Sequence, residues 1–307
     1  MPKNIRMDRH ASWLLAAGLF AAAASGQEAT APPASSHPDV NSPVKSAGNA
    51  QWAPDLAYAR KRASAQNKLV YYEIVNKDCG NCQRMQALLH PAFDFEALLV
   101  GMVPVQVMLD SPDGKTIGDR YAVTETPSVL IATPEGRVVF LVQGFKDAPD
   151  FYQHAHQDID AYRKFALVVD AQNVKTLSAE EAYSTGRALY ARLDYEAAAL
   201  RLQRAVDAPG VKPEMRESAL MGLAAAERQL GEFGAARGAA NKVVATTKNA
   251  DQKERAELFL AELDLSQDRL ADALAAYRKF VKNHPKSPYL EKVRGFIAKL
   301  EPGEPKP

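Results

Sequence analysis

The chain has 307 residues, enough for about two domains of ordinary size, and at 47% hydrophobic and 24% charged it has the composition of a folded globular protein. Its 38 basic and 37 acidic residues nearly cancel, and no basic stripe follows the first ten residues, so charge gives no reason to propose a nucleic-acid or anionic-membrane partner.

The N-terminus reads as an export signal. Lys3, Arg6 and Arg9 precede an apolar stretch of 14 residues, 11–24, and Ala24-Ser25-Gly26 offers a cleavage site before Gln27. Fourteen residues are short for a membrane span but suit the core of a secretory signal. Residues 1–26 are therefore expected to be a cleaved signal peptide and the mature protein to be periplasmic or secreted; a membrane association follows only if the signal is retained. No cysteine stands directly after the apolar run, which argues against a lipid anchor. Residues 27–50, with four prolines and almost no large apolar side chains, read as a flexible linker.

A first folded region is expected over 51–168. Leu56, Ala59 and Ala63 have helical spacing within 55–66, and 68–75 is a β-rich run (Leu69, Val70, Tyr71, Tyr72, Ile74, Val75) without Pro or Gly, suited to a buried strand. A turn with the only two cysteines, Cys79 and Cys82, leads into a helix over 82–89 that His90-Pro91 ends. A helix over 93–99, a strand over 102–109, a turn-rich loop over 110–115 and a short helical piece over 116–121 follow. Strands over 129–132 and 138–143 form a hairpin about Pro134-Glu135-Gly136, and a helix over 148–169 closes a mixed α/β domain.

From 178 to 301 the sequence is alanine-rich and without a convincing strand. Tyr195-Glu196-Ala197-Ala198, Phe233-Gly234-Ala235-Ala236 and Leu270-Ala271-Asp272-Ala273 lie 38 and 37 residues apart. Gly186, Ala224 and Ala261 precede the last alanine of each tetrad by 12 positions, and Ala205, Val243 and Phe280 follow it by seven. Leu202 and Tyr277 hold a site where the second unit has Ala240, so that unit is degenerate. The pattern resembles the tetratricopeptide repeat, which implies an all-α solenoid that binds a protein partner, with 288–300 as a capping helix. Residues 302–307 read as a disordered tail.

The chemistry points to the cysteine pair. A structural zinc site needs about four ligands, and no second Cys or His pair stands near, so no metal is assigned. At a strand-to-helix junction the first sulfur lies by the helix N-terminus, where unpaired N–H groups and the macrodipole favour the Cys79 thiolate; Cys82, one turn on, can resolve a mixed disulfide.

Around this pair the chain resembles the thioredoxin family over about residues 52–165. Glu73 stands on the strand six positions before Cys79, where the family carries an acidic residue that assists proton transfer to the second cysteine. Tyr121-Ala122-Val123-Thr124-Glu125-Thr126-Pro127-Ser128 matches, without a gap, the family segment that ends in a cis-proline facing the sulfurs; Gly136 and Gly144 match two further glycines. The resemblance implies an α/β thioredoxin-like domain, followed here by the helical repeats, and a thiol–disulfide oxidoreductase with no cofactor. Cys79, Cys82 and Glu73 are the catalytic positions it implies, with Thr126, Pro127, Gly80 and Asn81 contacting substrate. Expected partners are client proteins with disulfides, a thiol–disulfide electron donor, and a protein on the repeats.

Two positions depart from the family. Asp78 replaces the usual Trp before the first cysteine, and Gly80-Asn81 replaces Gly-Pro between the two. A carboxylate beside Cys79 opposes the thiolate, partly offset by Lys77, which favours a reductant or isomerase over a strong oxidant. Rival readings are an assembly or chaperone protein whose repeats carry the function, and copper handling in respiratory-enzyme maturation with His90 as a third ligand. His154 and His156 read as surface residues, and Tyr71 and Tyr72 as core.

Overall fold

The computed structural model describes residues 51–301, so the signal, linker and tail readings at 1–50 and 302–307 lie outside the described residues. The chain divides into two compact units, with the break between 171 and 172.

The first unit is built on a four-stranded sheet of order β2-β1-β3-β4, from β1 (Leu69–Val75), β2 (Met102–Met108), β3 (Ser128–Ala132) and β4 (Val138–Gln143). β1 pairs parallel with β2 and antiparallel with β3, and β4 returns antiparallel on β3. β1 is buried on both faces, which explains why its residues are almost all apolar: such a strand has no solvent side on which to alternate. Its side chains still alternate between faces. Tyr71 packs with Met85, Leu89 and Phe95, whereas the Tyr72 hydroxyl accepts a hydrogen bond from Arg60 Nε at 3.3 Å. Glu73 therefore points to the Tyr71 side.

Helices α1 (Leu56–Ala65), α2 (Gly80–Leu89), α3 (Phe93–Leu99), α4 (Pro112–Tyr121) and α5 (Ala148–Ala171) complete the unit. The expected loop over 110–115 needs correction, because α4 starts at Pro112. Ser111 caps it, its hydroxyl oxygen accepting from Gly114 N–H at 3.0 Å, and Pro112 supplies a preset φ in the first turn. The close approach of α4 to the end of β2 needs the glycine: a Cβ on Gly114 would lie 2.0 Å from the Met108 carbonyl oxygen. The helix expected from residue 82 likewise starts two residues earlier, with Cys79 as its N-cap.

The second unit is helical: α6 (Ala179–Ala191), α7 (Tyr195–Asp207), α8 (Pro213–Gln229), α9 (Phe233–Thr246), α10 (Ala250–Leu265), α11 (Leu270–Asn283) and α12 (Leu290–Leu300), consecutive helices packing on each other. Tyr195, Phe233 and Leu270 are the first residues of α7, α9 and α11, so the spacing in the sequence is the spacing of helix starts. Gly186, Ala224 and Ala261 are buried, as are Leu202, Ala240 and Tyr277. Space decides the small residues: a Cβ on Gly186 would lie 2.8 Å from Leu202 Cγ. α12 covers the end of the array, with Phe296 stacked on Tyr277 at 5.5 Å and Val293 fully buried.

Candidate active site

β1 runs into the turn 76–79 and α2 leaves it, so Cys79 stands at the helix mouth. Cys79 and Cys82 are joined as a disulfide, with Cα atoms 5.2 Å apart. The Cys79 sulfur accepts from Cys82 N–H at 3.1 Å, a direct contact with one of the unpaired amides of the first turn. Cys79 is half-buried and Cys82 buried, the order needed if the first sulfur meets a substrate and the second resolves it. Gly80 and Asn81, between them, are exposed.

The segment before β3 supplies the facing wall. The Thr126–Pro127 peptide is cis, Pro127 is buried, and the Thr126 hydroxyl donates toward the Cys79 sulfur at 3.6 Å. Ser128 holds the segment by donating to the Glu125 carbonyl at 2.8 Å. Thr126 and Cys79 line one open depression with Lys77, Asp78, Asn81 and Asp110. Lys77 and Asp78 are exposed to solvent. Gly136 (φ +102°) and Gly144 (φ +78°) are both in the left-handed region, where a side chain is strained.

Glu73 lies beneath α2 and is 1% exposed. One carboxylate oxygen accepts from Gln86 Nε2 at 2.5 Å, and the other lies 3.1 Å from His90 Nε2. The glutamate is thus a fully partnered buried carboxylate, as a buried charge requires. Sequence reasoning did not connect Gln86 or His90 to it, although Cys82, Gln86 and His90 recur every four residues and so share one strip of the helix. The His90 ring is stacked on Phe95 (centroids 4.6 Å apart) and tilted against Trp52 at 5.7 Å. Burial, and then the Glu73 charge, push the Tyr71 phenol well above its usual pKa, so it stays neutral beside the carboxylate.

The copper reading of His90 needs correction for the same reason: its Nε2 faces the Glu73 carboxylate, and among the described residues no three His, Cys, Asp or Glu side chains are grouped to hold a metal. His154 and His156 are exposed, the former with Nδ1 2.8 Å from the Asp150 carbonyl.

Residues 56–157 match the family model of a thioredoxin-like domain. Among solved structures, a thioredoxin from Thermus thermophilus is similar at 24% identity, over 35% of this chain and 85% of that one, with a TM-score of 0.32. An oxidoreductase named DsbH is similar at 17% identity, over 41% of this chain and 95% of that one, with a TM-score of 0.33. No curated protein matches the chain.

Proposed function

We propose that this chain, whose residues 56–157 form a thioredoxin-like domain, is an exported thiol–disulfide oxidoreductase that reduces or isomerises disulfides in client proteins. The observation that carries the reading is the Cys79–Cys82 disulfide at the mouth of α2, facing the Thr126 hydroxyl. In the reducing direction the Cys79 thiolate attacks a client sulfur. The client S–S bond breaks, one client thiolate leaves, and a mixed disulfide forms on Cys79. Cys82 gives its proton to Glu73 and attacks the Cys79 sulfur, releasing the second client thiolate; the client has gained two electrons and the protein holds its disulfide. A thiol–disulfide donor then returns the two electrons.

Thr126 and Pro127 offer backbone on which an extended client segment docks as an added strand, with Gly80 and Asn81 leaving the approach to Cys79 open. The helical unit holds a protein partner in this reading, and the apolar stretch at 11–24 directs export, which places the dithiol where client disulfides persist. The test is turnover of a disulfide-bonded peptide with the two single variants. Cys79→Ser should abolish reduction, and Cys82→Ser should accumulate a mixed disulfide that mass spectrometry reads directly. Undiminished reductase activity in either variant refutes the mechanism.

A further inference from the structure

The exchange of sulfurs needs an acceptor for the Cys82 proton, but not the polar groups that surround that acceptor. Gln86 and His90 occupy both oxygens of Glu73, at 2.5 and 3.1 Å, from the same helical strip that carries Cys82. The pair is enclosed: Glu73 is 1% and His90 8% exposed, and Trp52 and Phe95 flank the imidazole. A carboxylate shut off from water keeps one orientation only if its partners hold it, and a misplacement of about 1 Å costs roughly a hundredfold in a positioned reaction.

We propose that His90 is a positioning residue for the resolving step: with Gln86 it aims Glu73 along α2 at Cys82. This rests on the oxidoreductase reading above. In the step, the Cys82 S–H bond breaks and its proton passes to Glu73. The sulfur electron pair forms the bond to Cys79 as the bond from Cys79 to the client breaks. The departing client thiolate takes a proton from water, and Glu73 gives its proton back to the Cys82 sulfur when a donor next reduces the disulfide.

Three other ionisable groups surround the pair. Tyr71 comes from β1. Tyr152 comes from α5, its hydroxyl donating to the Leu89 carbonyl at 2.8 Å, and Asp94 of α3 faces Tyr152. Burial raises both phenols, further raised by Glu73 and by Asp94 respectively, so neither changes charge near neutrality.

The full reduced protein mixed with excess oxidised glutathione separates the steps. A phase whose rate rises with glutathione concentration reports attack by Cys79, and a concentration-independent phase reports resolution by Cys82. His90→Phe, which keeps an aromatic ring against Phe95, should slow the second phase about tenfold at pH 7 while the first persists. His90→Gln keeps a donor to Glu73, so it should recover the rate of the second phase. A His90→Gln variant whose first phase is intact but whose second phase stays slowed tenfold or more overturns the proposal by itself, whether or not His90→Phe folds. Absence of the concentration-dependent phase in the wild-type protein overturns the oxidoreductase reading instead.

Discussion

The helical unit contains a buried charge whose cost is measurable. Glu262 of α10 is 2% exposed; one oxygen lies 3.3 Å from Arg228 Nη1, and the other has no hydrogen-bond partner among the described residues. Burial raises its pKa from 4.5 to about 7, against the opposing pull of Arg228 and Lys292. A carboxyl whose folded pKa lies above its unfolded one binds more protons when folded. Stability is then highest below about pH 4.5, declines as pH rises through the window to about 7, and stays at the lower level above it. That rise corresponds to about 3 kcal/mol at roughly 1.4 kcal/mol per pH unit. Glu262→Gln keeps an acceptor for Arg228 and removes the ionisation. It should unfold about 10 °C above wild type at pH 8 and close to wild type at pH 4. Any cost of leaving the Arg228 cation without its carboxylate is common to both proteins at low pH, so the change in the gap isolates Glu262. Circular dichroism at 222 nm on the full chain follows the helices. Both tryptophans, Trp13 and Trp52, precede the helical unit, so their fluorescence should not move with the substitution. A gap of equal size at the two pH values, or a Glu262→Gln variant less stable at pH 8, refutes the reasoning.

Gly186→Ala should destabilise the helical unit by about 1 kcal/mol in thermal unfolding, because its Cβ would press on Leu202, which Gly222 also confines; overpacking exceeds the gain in helix propensity. Gly234→Ala and Gly238→Ala, exposed on α9 with no atom within 4 Å of the added carbon, should each stabilise it by about 0.5–1 kcal/mol in the same measurement. Thr126→Val removes the hydroxyl that donates toward Cys79 and should slow the glutathione-dependent attack about threefold at pH 7, the difference closing at alkaline pH. Asp78→Asn should speed attack by no more than about twofold in low salt and not at all near 1 M salt, since the carboxylate is exposed and screened.

Much of the fold is legible because its determinants are local. The run 69–75 reads as a covered strand, and the periods of 38 and 37 residues place three helix starts at Tyr195, Phe233 and Leu270. Asp110-Ser111-Pro112-Asp113-Gly114 shows where local reading stops. Its composition suits a turn, yet Ser and Pro are also an N-cap and a first helical residue. What decides between them is the contact of Gly114 with the Met108 carbonyl, which belongs to tertiary packing. The same holds for Ala240: its degeneracy reads as a weak repeat, while in the fold it is as buried as Leu202 and Tyr277.

At the site, the boundary falls between residues fixed by short spacing and residues fixed by register. Cys79 and Cys82 share one turn of helix, and Glu73 lies on the strand that leads to them, so their relation survives any packing of the sheet. Gln86 and His90 lie 13 and 17 positions from Glu73 and meet it only because α2 crosses β1 at one particular angle and height. Read alone, the polar strip of Cys82, Gln86 and His90 could equally face water. The physical constraint that breaks the tie is on the strand: a carboxylate on a buried, otherwise apolar strand must find hydrogen-bond partners or forfeit several kcal/mol. The strip that carries Cys82 holds two groups able to meet that demand. The Nε2 that faces Glu73 is therefore not free to bind a metal, and the residue that reads as a candidate copper ligand is a partner of the buried carboxylate.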